Sequence, residues 1–236
     1  MTTKELKVVD HRPSGVAQAL LLVWQNPDTR LFRRVGRLDH LIDGRYSFAY
    51  ESDASKIEGF YPLAEFPNFD LSYISDSLPA FFANRVMSQD RPSYSDYRGW
   101  LGLEFGSDTP MEVLSRTGGS RATDTFHLVD SPMQGGRFAS RFFVSGVSHV
   151  DGVQDRISRI DAGDRLELRP QPDNPVNPKA LLVDVASGEE IGWIPDWLVD
   201  EIHRQINVEA QLEITVDQVN PDAPDHLKVL AYIRVL

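Results

Sequence analysis

The sequence predicts a strand-rich α+β protein made of two small domains. Alternation of apolar and polar residues is clear at Leu212, Ile214 and Val216, and again at Val229, Ala231, Ile233 and Val235. Helical periodicity is confined to short segments, with Leu198, Ile202 and Ile206 sharing one stripe. A chain of 236 residues with 41% hydrophobic content can bury a core and suits one large or two small domains.

Residues 17–24 form an apolar run that fits a buried strand, closed by the turn residues Gln25, Asn26, Pro27 and Asp28. Val35 and Leu38 lie in a short strand over 34–38. Asp43-Gly44 signals a hairpin into the alternating strand 46–50. Residues 51–110 mix aromatics with Pro, Ser and Asp. Phe60, Tyr61, Phe66, Phe69, Tyr73, Phe81 and Phe82 are expected to fill an irregular core there. Pro79 opens a helix over 78–87.

A short helix over 111–116 follows, capped by Thr109 or Asp108. Thr117-Gly118-Gly119 breaks it, and 124–129 reads as a strand. Pro132, Gly135 and Gly136 mark a domain boundary. Strands are expected at 138–147, 165–169, 180–185 and 191–193, with a turn at Ser187-Gly188. A helix over 196–206 and a hairpin over 210–219 and 227–236 complete the chain. The domains are therefore expected at 1–107 and 137–236, joined by a connecting segment over 108–136.

Composition narrows the chemistry. The net charge of −11 opposes loose attraction to phosphates. Residues 137–236 hold ten Lys and Arg against seventeen Asp and Glu, a balance of −7. With no cysteine, disulfides and thiolate metal sites are excluded. The start of the chain lacks the long apolar stretch of a signal peptide. The run at 17–24 is too short for a bilayer, which takes ~20 residues. A soluble, cytoplasmic protein is expected. No phosphate-binding glycine loop, kinase catalytic motif or nucleophile elbow occurs. His149 with Asp151, and Asp225 with His226, are too sparse for a metal site. No enzyme activity, cofactor or metal is expected.

Four blocks carry the strongest pattern. They are Val144-Ser145-Gly146-Val147-Ser148-His149, then Gly163 to Leu168, then Asp173-Asn174-Pro175-Val176-Asn177-Pro178-Lys179-Ala180, then Ile191-Gly192-Trp193-Ile194-Pro195. In this order and spacing they resemble a HIRAN domain. The resemblance implies a small β-barrel and, for several members, binding of single-stranded DNA at its 3′ end. A second, less specific resemblance covers the first hundred residues. Val35-Gly36-Arg37-Leu38, Phe48-Ala49-Tyr50 and Pro79 to Arg85 resemble the first subdomain of HipA-type toxin kinases, a mixed β/α unit that contacts partners. Arg116 to Gly119, followed by Thr123 to Phe126, resembles the segment that precedes HIRAN domains in related bacterial proteins.

Within the HIRAN-like half, the candidate nucleic-acid-binding residues are Ser148, His149, Asn174, Pro175, Asn177, Lys179 and Trp193, with Arg116 and Arg121 extending the patch. Pro175 fixes its own φ and restricts Asn174, which gives a rigid turn whatever the function. His149 either stacks on a base or pairs with an oxygen. Trp193 is a stacking platform or a core indole, and Lys179 a phosphate contact or a solvated charge. The chain departs from DNA-binding members at four positions. Ser148 stands where an arginine is common, and Val176 where a stacking tyrosine occurs. Asn177 replaces an aspartate, and Asp196 a basic residue.

Two functions follow. The first is a non-enzymatic nucleic-acid-binding accessory protein engaging single-stranded or 3′-end DNA. The second is a protein-interaction or antitoxin-like regulatory subunit docking onto a HipA-type kinase or another partner, with Tyr94, Tyr97 and Trp100 as interface anchors.

Overall fold

A computed structural model describes Lys7–Val9, Gly15–Ser131 and Phe138–Leu236. The chain divides into two compact units. The first contains the described residues before Gln89 and those from Thr109 to Ser131. The second contains Gln89–Asp108 and Phe138–Leu236.

The first unit is built on a six-stranded antiparallel sheet. Its strands are β1 (Lys7–Val9), β2 (Val16–Gln25), β3 (Phe32–Leu41), β4 (Tyr46–Tyr50), β5 (Ser72–Ser75) and β6 (Phe126–Asp130), in the order β1-β5-β4-β3-β2-β6. The apolar run in β2 lies between β3 and β6, so Ala19 to Trp24 are buried on both faces. Leu20, Leu22, Val35, Leu38, Phe48, Phe66 and Phe82 form its core. Loop backbone within this core is satisfied by tyrosines. The Tyr50 hydroxyl donates to Phe66 O at 2.8 Å and accepts from Leu63 N at 2.7 Å. Burial pushes that phenol up to about 12.

Three expectations change here. Tyr61 points to solvent, 79% exposed, rather than into the core. The helix expected over 78–87 is reduced to α1 (Ala80–Ala83), whose first amides are capped by the Glu65 carboxylate at 2.9 and 2.7 Å. It stops because Arg85 is drawn inward. Its guanidinium reaches Asp124 at 2.6 Å and Gly119 O at 2.9 Å, and lies 4.3 Å from the Phe81 ring centre. The segment 108–136 is not a mere connector. It supplies α3 (Pro110–Thr117), capped by the Thr109 hydroxyl, and β6, which pairs along β2.

Residues 89–108 belong to the second unit instead. They include α2 (Tyr94–Trp100). Gln218 and Asn220 side chains donate to Gly99 O at 2.8 Å and Trp100 O at 2.9 Å. Tyr94, offered above as an interface anchor, is buried, and its hydroxyl donates to Asp108 at 2.9 Å.

The rest of the second unit has β7 (Ala139–Phe143), α4 (Val153–Ile157), β8 (Leu166–Pro170), β9 (Leu181–Val185), β10 (Glu190–Trp193), α5 (Asp196–Asn207), β11 (Leu212–Val219) and β12 (Val229–Val235). They form two antiparallel sheets, β10-β9-β8 and β11-β12-β7. The expected barrel does not close by continuous ladders. Two isolated bridges link the sheets, Ser145 with Trp193 and Arg165 with Thr215. Leu198 and Ile202 of α5 are buried as expected, but Ile206 is 41% exposed near the helix end.

Candidate nucleic-acid interface

The site begins where β7 ends. Gly146, three residues past the end of β7, takes a left-handed φ of 69° and starts a single 3₁₀ turn over Val147–His149. Val147 turns into the core, and Ser148 and His149 are left exposed.

The neighbouring seam explains two of the motif glycines. Ser145 and Trp193 exchange both backbone hydrogen bonds, at 2.8 and 2.9 Å. Gly192 has φ 148°, and a Cβ there would collide with Ser145 O and lie 2.6 Å from Val144 Cγ1. A Cβ on Gly146 would lie 2.7 Å from Trp193 Cε3. Glycine at both positions lets the two sheets meet and lets the indole pack on backbone.

The Asn174-Pro175 turn forms the other wall. Asn174 Oδ1 accepts from Val176 N at 2.9 Å and Asn177 N at 3.0 Å. This is side-chain mimicry of a backbone turn. Its Nδ2 donates to Gln171 Oε1 at 2.7 Å, and the same oxygen accepts from Trp193 Nε1 at 2.8 Å. Gln171 therefore ties the turn to the indole. Sequence reasoning missed it. The signal was its place three residues before Asn174, where its carbonyl also accepts the Asn174 N–H at 3.1 Å.

Electrostatics at this corner are restrained. Asn177 Nδ2 donates to Asp196 at 2.9 Å, and Lys179 Nζ to Asp200 at 2.7 Å. Asp196 opens α5, where the helix dipole favours a carboxylate, and Asp200 lies one turn further along the same helix. His203 Nε2 hydrogen-bonds to Lys179 O at 2.9 Å. The corner is thus polar with its lysine charge paired, and Val176 stands 66% exposed at the turn's tip.

The candidates divide accordingly. Ser148, His149, Asn174, Pro175, Asn177, Lys179 and Trp193 all fall in the second unit. Asn174 is consumed by its own turn, and Trp193 is half-buried. Arg116 and Arg121 belong to the first unit. Arg116 is buried on α3, 3.8 Å from Glu112, which removes it as a phosphate contact; Arg121 is exposed.

Other arginines of the HIRAN-like half are mostly paired. Arg169 grips buried Asp184 through two bonds at 2.6 and 3.1 Å. Arg141 meets Asp217 at 2.9 Å and lies 4.6 Å from the Tyr232 ring centre. Arg137 lies outside the described residues. Among the described residues no metal-ligand cluster occurs, and no helix is long and apolar enough to cross a membrane.

Comparison with known proteins assigns the class of this segment. The family model of the HIRAN domain matches residues 138–234. The match covers less than half of the chain and does not extend to the first unit. The crystal structure of the HIRAN domain of human HLTF is similar at 20% identity, over 44% of this chain and 81% of that one, with a TM-score of 0.34. A crystal structure of a protein from Lactobacillus plantarum is similar at 16% identity, over 43% of this chain and all of that one, with a TM-score of 0.35. No curated protein matches the chain in sequence.

Proposed function

We propose that the protein binds nucleic acid through its HIRAN domain, without catalysing a reaction, and takes a single strand or a 3′ end at the corner of His149, the Asn174 turn and Trp193. The observation that supports this reading is the HIRAN match over 138–234, a family whose members bind DNA. The corner offers an exposed imidazole, an exposed hydroxyl at Ser148 and a half-buried indole beside a rigid turn. Its one lysine is already paired with Asp200. Recognition therefore rests on bases and a strand terminus more than on phosphate neutralisation.

Fluorescence anisotropy of the full chain tests this. The probe is a labelled oligonucleotide with a free 3′-hydroxyl, beside a 3′-phosphate control. Saturable binding to the hydroxyl form is expected. His149→Ala is expected to weaken it about tenfold, the scale of one lost base contact. No binding to either strand, or binding indifferent to His149, overturns the proposal.

A protein partner is the second reading. The observation favouring it is the placement of Asp196 and Asp200 against the turn, which suits a basic peptide. A strand that fails to bind while a basic peptide competes for the same residues would select it.

A further inference from the structure

A second concavity of the HIRAN domain lies away from the Asn174 corner. It has a volume of about 300 Å³. Arg156 and Arg159 reach it from α4 and the turn that follows. Asp164 and Arg165 enter from the approach to β8, and Ser187 and Glu189 from the β9–β10 turn. The volume sits at the lower end of small-ligand pockets. Ile160, Val185 and Ala186 supply apolar wall.

Three guanidiniums face two carboxylates here, and they are only partly used. Glu189 lies 3.4 Å from Arg156 and 3.6 Å from Arg159. Good charge-assisted contacts are nearer 2.7–2.9 Å. The closer contacts of those arginines go to neutral carbonyls, Arg156 to Glu190 O at 2.6 Å and Arg159 to Asp155 O at 3.0 Å. Among the described residues, the exposed Arg165 side chain has no hydrogen bond or ion pair. Asp164 turns one oxygen to its own loop, accepting from Asp161 N at 2.9 Å.

Glu189 meanwhile accepts from the Ser187 hydroxyl at 2.7 Å. That bond, and then the charges of Arg159 and Arg156, hold its carboxyl below the usual range. An anion thus already sits where a ligand's anion would. It is carried on an exposed turn, so it can be displaced by a more highly charged group.

We propose that this pocket receives a phosphomonoester of about mononucleotide size. Its dianion takes the place of the Glu189 carboxylate between Arg156, Arg159 and Arg165, and its organic part lies against Ile160 and Val185. The phosphate comes either from a free mononucleotide or from the 5′ end of a strand. The pocket shares no residue with the His149 corner, so the two proposals stand or fall separately.

The test is an amide chemical-shift titration of the full chain at low salt. The probes are 2′-deoxyadenosine 5′-monophosphate, deoxyadenosine and sulfate. Shifts at Arg165 and Ser187 to Glu189 are expected with the monophosphate, and none with deoxyadenosine. Arg159→Glu and Arg165→Glu are each expected to weaken binding about tenfold or more, the scale of a charged hydrogen bond. Both side chains are exposed, so the fold is retained, and His149→Ala leaves this affinity unchanged. Glu189→Gln is expected to tighten binding several-fold. A 5′-phosphorylated oligonucleotide set against its 5′-hydroxyl form identifies the source of the phosphate. Equal response to deoxyadenosine and the monophosphate overturns the proposal. So does binding that matches sulfate and survives both charge reversals.

Discussion

The two units solve the same problem of holding a sheet together by different means. The first buries a continuous six-stranded ladder under packed aromatics and a sequestered ion pair, Arg85 with Asp124. The second joins two three-stranded sheets through single bridges, at Ser145–Trp193 and Arg165–Thr215. Stability in the first is therefore spread over many contacts. The second has a buried core of its own, but its two sheets meet only at a few backbone approaches, and both proposed binding regions adjoin these seams. A ladder of long strands resists local opening, whereas a one-bridge seam admits it.

The largest expected effect is in the first unit. Arg85 has a side chain only 1% exposed, so Asp124→Ala leaves a buried cation without its closest carboxylate. A loss of about 3–5 kcal/mol is expected, read by denaturant unfolding and by amide exchange in β2. Loss below 1 kcal/mol would remove the distinction drawn for that core.

Next is an acid response of the same unit. Burial, and then the Arg85 charge, lower the His127 imidazole to about 4. Its ordinary value is near 6.5, so between these two pH values the unfolded chain takes up a proton that the folded one refuses. Stability is full above about pH 6.5 and falls as the pH drops towards 4, by about 3 kcal/mol. His127→Gln should flatten that slope in pH-dependent unfolding. An unchanged slope would assign the acid sensitivity elsewhere.

In the second unit Gly192→Ala tests the seam. The added Cβ meets Ser145 O at a strained φ, and a cost of about 1–3 kcal/mol is expected. Amide exchange at Ser145 and Trp193 should quicken while β2 and β3 are unaffected. Uniform exchange changes in both units would contradict the contrast. Asp200→Asn is the mildest. It breaks an exposed ion pair with Lys179, costing under about 1 kcal/mol. The freed ammonium should raise strand affinity about threefold and steepen its salt dependence.

Much of this was legible in the sequence where the signal is local. The alternation at 212–216 and 229–235 became β11 and β12, and Thr109 caps α3. Gly146 and the Gly192-Trp193 pair stood out as motif positions, but the close approach that requires glycine at both is visible only in the structure. Long-range partners were not legible. Arg85 gives no hint that Asp124 will draw it inward and cut its helix short. Residues 89–108 gave no hint that Gln218 and Asn220 would bind the end of α2. At the site, the identity of the turn residues was readable, but their occupation was not. Asn174 spends its side chain on its own turn and on Gln171, and Lys179 is held by a carboxylate from a later helix.

The central claim is that the corner beside the Ser145–Trp193 seam receives a nucleic-acid strand. The Trp193 Nε1–H donates to Gln171, the residue that ties the turn to the indole, so its proton resonance reports directly on that corner. The chain has four tryptophans, and Trp193→Phe assigns the signal. On titration with a 3′-hydroxyl single strand, that indole resonance and the His149 amide should move together with one dissociation constant. If both stay still while the strand binds, or if the shifts fall only in the first unit, the corner is not where nucleic acid is held.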